Sequence, residues 1–175
     1  RYLPIGNVRT AIEFFVNWDV DEIIVMDIDA SITGKGPDVE LVKWAAKACF
    51  VPLVVGGGIK KIEHIQQLLA AGADKVCINS IVRDEISFVT EASNVFGDQC
   101  ITVSVDIIQQ NGEYSVFDYR NSNSYSSNLS DHLKEVEQAG AGEILLNSVN
   151  RDGSREGYDL ELLKHVSSLV SIPVI

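Results

Sequence analysis

The chain alternates between short, almost continuously apolar runs and longer stretches in which apolar residues recur at helical spacing. Short runs rich in β-branched residues are typical of parallel strands that are covered on both faces. They predict strands at 22–28, 52–55, 75–79, 100–106, 143–147 and 172–175. The amphipathic stretches predict helices near 7–18, 38–48, 61–71, 84–96, 129–139 and 159–168. Strands that alternate with helices in this way indicate an α/β fold with a parallel sheet.

An internal repeat decides between a doubly wound sheet and a (β/α)8 barrel. Residues 22–52 align without gaps with residues 143–173. The matched pairs include Glu22/Glu143, Ile23/Ile144, Gly36/Gly157, Asp38/Asp159, Glu40/Glu161, Leu41/Leu162, Lys43/Lys164 and Pro52/Pro173. The separation of the two copies corresponds to about four βα units, which is half of an eight-fold barrel. The repeat therefore favours a (β/α)8 TIM barrel made of two related halves.

Counted in this way, the chain runs from roughly helix 1 to strand 7 of the barrel, as a single partial domain over residues 1–175. Without strands 1 and 8 the sheet would have two unpaired edges, which are an aggregation hazard. We therefore expect either a longer gene product or a homo-oligomer in which copies complete one another's barrel.

Composition restricts the classes of function. A hydrophobic content of 46% with 22% charged residues is that of a folded globular protein. The formal net charge of -11 argues against nucleic acid or an anionic membrane as the main partner, although backbone N–H groups can still hold a phosphate. No apolar run approaches the roughly 20 residues that span a bilayer, and the opening residues lack the apolar segment of a signal peptide.

Three cysteines, Cys49, Cys77 and Cys100, are widely spaced in apolar surroundings, and the histidines add no close-set pair of ligands. Structural metal sites need ligands at short, regular spacing. We therefore expect reduced, buried thiols in a cytoplasmic protein, with neither a metal nor a cofactor.

Polar residues gather where the predicted strands end, which is where a (β/α)8 barrel carries its working residues. The polar and glycine residues at these ends are Asp27, Asp29, Gly56, Gly57, Gly58, Asn79, Ser80, Asp106, Asn147, Ser148, Asp152 and Gly153. Three consecutive glycines that lead into a helix favour a phosphate site over a plain tight turn, because such a turn points backbone donors at an anion. The G-x-G-x-x-G nucleotide fingerprint is absent.

Asp106 ends the run CITVSVD, immediately before a predicted hairpin around NGE. A lone carboxylate at this position is either a general acid or base, or a cap of the loop. Asp27 has the same ambiguity after EIIVM.

Three charged residues lie at the opposite, N-terminal ends of strands: Glu22, Lys75 and Glu143. They are either surface ion pairs of little energetic value or a charged ring across the bottom of the barrel. We refer to these three residues as the gate.

Five segments carry a resemblance that covers essentially the whole chain. They are DEIIVMDIDAS (21–31), VPLVVGGGIK (51–60), AGADKVCINS (71–80), FGDQCITVSVD (96–106) and AGAGEILLNSVNRDGSREGYDLELL (139–163). Together they resemble the cyclase subunit of imidazole glycerol phosphate synthase. The resemblance implies a lyase of histidine biosynthesis that takes ammonia from a glutaminase partner, a class I amidotransferase subunit. Its phosphorylated small-molecule substrate would be a bisphosphorylated aminoimidazole-carboxamide ribulotide, converted to imidazole glycerol phosphate.

The same resemblance implies roles for individual residues. Asp106 would be one of two catalytic aspartates that act as general acid and base, the other lying at the end of a strand 1 that this chain lacks. The implied substrate and phosphate residues are Gly57, Gly58, Asn79, Ser80, Asp27, Ser148, Asp152 and Gly153. The gate would admit ammonia to the barrel.

Several departures point toward a paralogue. Family members usually carry threonine at the positions of Asp29 and Asn147, and a basic, glycine-containing stretch after the hairpin. Here that stretch reads DYRNSNSYSSNLS (118–130). This stretch, Asn147 and the opening of the chain look more like paralogues associated with surface-polysaccharide genes, which are thought to help amidate a sugar.

Four hypotheses follow. The protein is an ammonia-dependent cyclase, a cyclase-like paralogue that supplies ammonia for sugar amidation, or a noncatalytic phosphate-binding barrel segment. A fold-related isomerase would use a similar aspartate pair but would not need the gate. Asp106 and the gate argue against the noncatalytic reading.

Overall fold

The computed structural model describes residues 6–120, 123–124 and 128–175, with only the backbone described at 123–124. The chain divides into two compact units, one within residues 3–78 and the other within residues 79–175. Each unit is described below by itself.

The first unit contains three parallel strands and four helices. They are α1 (Val8–Val16), β1 (Ile23–Met26), α2 (Ala30–Thr33), α3 (Val39–Ala48), β2 (Leu53–Gly56), α4 (Ile62–Ala70) and β3 (Lys75–Ile78). β2 pairs with both β1 and β3, with Ile23 opposite Leu53 and Val54 opposite Lys75. Strand residues such as Val54 and Val76 are fully buried, as expected for a parallel sheet covered by helices.

The second unit contains a long strand that pairs with a parallel neighbour and with a hairpin arm. Its elements are α5 (Ser80–Asp84), α6 (Ser87–Phe96), a 3-10 turn (Asp98–Cys100), β4 (Ile101–Gln110), β5 (Glu113–Asp118), β6 (Asn123–Ser124), α7 (Leu129–Gln138), β7 (Glu143–Ser148) and α8 (Leu160–Ser167). β7 runs parallel to β4, with Asn147 opposite Asp106. β5 returns antiparallel to β4 and pairs with β6.

Most of the predicted elements are confirmed within a few residues. The predicted helix at 84–96 is divided between α5 and α6, and the short helix α2 was not predicted. The predicted strand at 172–175 is reduced to one parallel bridge between Val174 and Ile144. β4 continues past Asp106 to Gln110, because its last residues form one arm of the predicted hairpin.

Helices α3 and α8 begin in the same way. Asp38 accepts a hydrogen bond from the N–H of Leu41 at 3.0 Å, and Asp159 accepts one from Leu162 at 3.1 Å. An aspartate before the first helical residue satisfies an N–H group that has no partner within the helix. The aligned aspartates of the predicted repeat therefore start equivalent helices.

The prediction of three buried thiols holds for Cys77 only. Cys49 and Cys100 are half-buried at the ends of helical segments, and none of the three is in a disulfide. Partial burial raises the pKa of the Cys49 thiol, and the negative charge of Asp74 raises it further.

The alternation of parallel strands and helices is that of an incomplete (β/α)8 barrel, which confirms the predicted fold class. No helix within the described part of the chain is long and apolar enough to cross a bilayer.

Candidate functional site

Asp106 is the best-organised carboxylate among the predicted site residues. It lies in β4 and is 9% exposed. Asn79 donates its side-chain amide to Oδ2 at 2.8 Å, and Asn147 donates to Oδ1 at 2.8 Å. Both carboxylate oxygens therefore accept from N–H donors, which hold the side chain from two sides.

The local fold explains how these amides reach Asp106. The parallel register of β4 and β7 places Asn147 directly opposite Asp106, so both side chains project to the same face of the pair. Asn79 lies immediately before α5 and reaches the other oxygen from there. The sequence predicted all three residues at strand ends, and within the second unit the structure brings them into contact.

Sequence reasoning missed Arg83, on the last turn of α5. Its side chain is 2% exposed, and its Nη1 donates to the carbonyl oxygen of Phe117 at 3.2 Å. Nη1 also lies 4.0 Å from Oδ2 of Asp106, and Nη2 lies 3.5 Å from Oδ1 of Asp118. A single arginine within a short polar helix gives no signal of burial, because its partners lie far along the chain.

A second arginine, Arg120, connects the end of the hairpin to α5. Its Nη1 and Nη2 donate to the carboxylate of Asp84 at 2.7 and 2.9 Å, and its Nε donates to Asp118 at 3.0 Å. Hydrogen bonding from Arg120 is the main cause that lowers the pKa of both carboxyl groups. The same two partners raise the pKa of Arg120.

Ser80, predicted to bind phosphate, has a hydroxyl neighbour from the hairpin. Its Oγ lies 3.2 Å from the hydroxyl of Tyr119, within hydrogen-bonding distance. The guanidinium of Arg83 lies 5.7 Å from the centroid of the Tyr119 ring, which is a cation–π distance.

His132 is also buried in this unit, and burial is the main cause that lowers its pKa, with the charge of Arg83 acting in the same direction.

Asp27 in the first unit is held by its own loop. Its Oδ1 accepts hydrogen bonds from the N–H groups of Asp29 at 3.1 Å and Ala30 at 3.0 Å. This geometry is that of a loop cap, one of the two roles that the sequence left open.

The glycine run needs glycine for backbone reasons. Gly57 and Gly58 have φ values of 108° and 67°, a region that side chains disfavour. A Cβ on Gly57 would collide with the carbonyl of Asp27, and one on Gly58 would lie 2.7 Å from the carbonyl oxygen of Lys35. The N–H of Gly58 donates to the Ser31 hydroxyl at 3.4 Å. The tight approach of three loop segments therefore accounts for these glycines, with or without a phosphate.

Ser148, Asp152 and Gly153 form a separate group after β7. Ser148 donates its hydroxyl to Oδ2 of Asp159 at 3.0 Å, and its carbonyl accepts the N–H of Asp152 at 2.9 Å. Asp152 and Gly153 are exposed, and Gly153 has a φ of 69°. These residues line an open loop at the same end of β7 as Asn147.

Of the gate residues, Glu22 and Lys75 form an ion pair within the first unit. Their Nζ and Oε1 atoms are 2.9 Å apart, and about a fifth of each side chain is exposed. In the second unit, Oε2 of Glu143 accepts from the hydroxyl of the buried Thr102 at 3.2 Å.

The stretch 118–130 that departs from the family pattern is described only in part, since 121–122 and 125–127 lie outside the described residues.

Comparisons with known proteins agree on one family. The model of the family described as "Histidine biosynthesis protein" matches residues 3–175. A Vibrio vulnificus protein named "Putative imidazole glycerol phosphate synthase subunit hisF2" is 65% identical over 100% of this chain and 64% of its own length. A Campylobacter jejuni protein of the same name is 42% identical over 99% of this chain and 69% of its own length.

A third relative points to the same family. "Imidazole glycerol phosphate synthase subunit HisF" of Sulfurisphaera tokodaii is 46% identical over 89% of this chain and 62% of its own length. The chain thus spans about two-thirds of the length of the curated relatives that it matches. The family match over nearly every residue, with an incomplete (β/α)8 barrel and an amide-held aspartate in β4, shows that the chain belongs to the histidine biosynthesis protein family.

Proposed function

We propose that this protein is an ammonia-dependent cyclase of the imidazole glycerol phosphate synthase type. It would convert a bisphosphorylated aminoimidazole-carboxamide ribulotide to imidazole glycerol phosphate in histidine biosynthesis. The observation that carries the proposal is Asp106, which is buried in β4 and held on both oxygens by Asn79 and Asn147. The names of the relatives support the same reaction.

Asp106 is suited to proton transfer. Each of its oxygens accepts one amide N–H, so each retains capacity to accept a proton or a hydrogen bond from a substrate. A positioned carboxylate that moves a proton typically contributes about 100-fold to 10,000-fold to a rate.

Backbone and small polar groups, rather than net charge, would bind the substrate's phosphates. Gly57 and Gly58 bring the backbone into close approach with other loop segments, Asn79 donates to Asp106, and Ser80 follows Asn79 in the chain. Substrate-facing roles are proposed as well for Asp27, Ser148, Asp152 and Gly153. This mode of binding is compatible with an acidic protein, because N–H groups hold phosphate without formal charge.

Ammonia would come from a glutaminase partner through the gate. The Glu22–Lys75 ion pair lies at the N-terminal ends of β1 and β3, whereas the predicted site residues Asp27 and Asn79 follow the C-terminal ends of these strands. Glu143 begins β7 in the second unit. A charged pair that can open and close is a reasonable control point for a small polar molecule.

The test is ammonia-dependent turnover of the ribulotide by the protein expressed from its complete gene. We expect Asp106→Asn to lower kcat by about 100-fold to 10,000-fold, because the amide cannot accept the proton. Asp131→Asn is the matched control, since Asp131 is an exposed residue of α7, and its kcat should stay within about threefold of the parent. Equal turnover by the two variants would exclude Asp106 as the acid or base.

A second candidate is a paralogue that supplies ammonia for amidation of a surface-polysaccharide sugar. It is favoured by Asn147, which stands where family members usually carry threonine and which donates directly to Asp106. A folded protein that binds the ribulotide without turning it over, and that still stimulates a glutaminase partner, would support this candidate over the first.

A further inference from the structure

Arg83 is a buried cation whose hydrogen bonds are incompletely satisfied. Its side chain is 2% exposed, yet among the described residues it makes one side-chain hydrogen bond, from Nη1 to the carbonyl of Phe117. Nε and Nη2 are buried without a hydrogen-bond acceptor there, although Nη2 lies at ion-pair distance, 3.5 Å, from Oδ1 of Asp118. Buried donors without acceptors are destabilising and are rare in folded proteins, so this arrangement requires an explanation other than stability.

Arg120 provides the contrast, because it shares Asp118 with Arg83. Its side chain is 33% exposed, and its Nε, Nη1 and Nη2 all donate to Asp84 or Asp118. Arg120 therefore already joins the end of the hairpin to α5 with a well-formed ion-pair network. Attachment of the hairpin alone does not account for Arg83.

What distinguishes Arg83 is its position between two groups of the proposed site. One of its nitrogens lies 4.0 Å from Oδ2 of Asp106, the oxygen that Asn79 also contacts. On the other side the guanidinium approaches the ring of Tyr119, whose hydroxyl is 3.2 Å from the hydroxyl of Ser80. A planar guanidinium can fix several neighbours at once, whereas a lysine ammonium on a flexible stem cannot.

We propose that Arg83 is a positioning residue for the reaction: its guanidinium holds the carboxylate of Asp106 and the 117–119 segment in one fixed arrangement. The expected effect of Arg83 on kcat rests on the proposed function, in which Asp106 takes part in the reaction. Arg83 itself is not placed in contact with substrate. It acts on the reaction through Asp106.

The test compares two arginine-to-lysine exchanges in the protein expressed from its complete gene. Arg83→Lys keeps the charge but loses the planar fork, and we expect kcat to fall by about 10-fold to 100-fold with KM within about threefold. Arg120→Lys makes the same exchange at a residue that contacts Asp118 but not Asp106, and its kcat should stay within about threefold. Equal kcat losses in the two variants would overturn the proposal.

A double variant separates positioning from a general loss of stability. If Arg83 acts through Asp106, adding Arg83→Lys to Asp106→Asn should cause no further loss of kcat. A merely structural residue would lower activity by the same factor in both backgrounds. Multiplying losses in the double variant would therefore contradict the proposal.

A measurement without substrate keeps the inference separate from the proposed function. In protein labelled with nitrogen-15, the side-chain amide signals of Asn79 and Asn147 report the position of Asp106. We expect both signals to move in Arg83→Lys and to stay in place in Arg120→Lys. Unmoved signals would overturn the role of Arg83 even if the cyclase is active, whereas moved signals in a protein without turnover would reject only the proposed reaction. If Arg83→Lys does not fold, Arg83→Gln replaces it with the same expectations.

Discussion

Two aspartates near the ends of buried strand segments, Asp27 and Asp106, are held in opposite ways. Asp27 accepts hydrogen bonds from N–H groups two and three residues further along its own loop. Asp106 accepts from the amides of Asn79 and Asn147, which lie 27 and 41 residues away. The position of Asp27 is thus set by its own loop, whereas the position of Asp106 is set by side chains that the fold brings from distant parts of the chain.

The two copies of the predicted repeat differ in the same sense. Asp38 and Asp159 have nearly the same backbone angles, with φ of -82° in both and ψ of 85° and 80°, and each caps a helix. At the strand ends the copies diverge, because Asp27 caps its own turn while the aligned Ser148 donates to Asp159. The part of the repeat that starts helices is retained, and the part at the strand ends varies.

The largest expected effect on stability comes from removing Asp118, the carboxylate that contacts both Arg83 and Arg120. Asp118→Ala should lower the free energy of unfolding by about 3 kcal/mol, because it leaves the buried Arg83 without its nearer carboxylate. Asp27→Ala should cost only about 1 kcal/mol, since it removes a local cap. Urea unfolding of both variants measures the difference. Asp21→Ala, at an exposed loop residue, is the control. Equal losses of unfolding free energy in Asp118→Ala and Asp27→Ala would contradict the expected difference between the two carboxylates.

The dependence of stability on pH tests the contribution of Asp118 in a second way. Arg120 lowers the pKa of Asp118 in the folded state, so this carboxylate contributes stability above its unfolded pKa of about 3.9. That contribution is lost as the pH falls through the lower, folded value. We expect the parent to lose more stability than Asp118→Asn as the pH falls from about 5 through the folded-state pKa of Asp118. Parallel stability curves in acid for the two proteins would contradict this account.

The helix caps give a smaller and symmetrical effect. Asp38→Ala and Asp159→Ala should each lower the free energy of unfolding by about 1 kcal/mol, because each leaves one N–H of the first turn unsatisfied. The comparison predicts nearly equal losses in thermal or urea unfolding. Asp38→Asn and Asp159→Asn are the matched controls, since asparagine caps helices as well as aspartate does. A clearly larger loss at Asp159 would show that its bond from Ser148 matters beyond the cap.

The elements and the strand-end residues could be predicted because they leave a local pattern. Helices of nine or ten residues show their periodicity, whereas α2 and α5, with four and five residues, are too short to show any. Asp106 and Asn147 were recognised as strand-end residues, but nothing local distinguished Asp106 from Asp27. Arg83 was missed because its partner Phe117 lies 34 residues away and single residue types carry no record of such contacts.

The smallest expected effect on folding is at the gate. Lys75→Met should change the free energy of unfolding by no more than about 1 kcal/mol, because the Glu22–Lys75 pair is partly exposed. Its expected effect is instead functional: under the proposed function, glutamine-dependent turnover with a glutaminase subunit should fall relative to ammonia-dependent turnover. Lys43→Met removes a lysine from an exposed pair with Glu40 and should leave that ratio unchanged. If the ratio is the same in Lys75→Met as in the parent, the ion pair is a surface contact and the gate assignment is wrong.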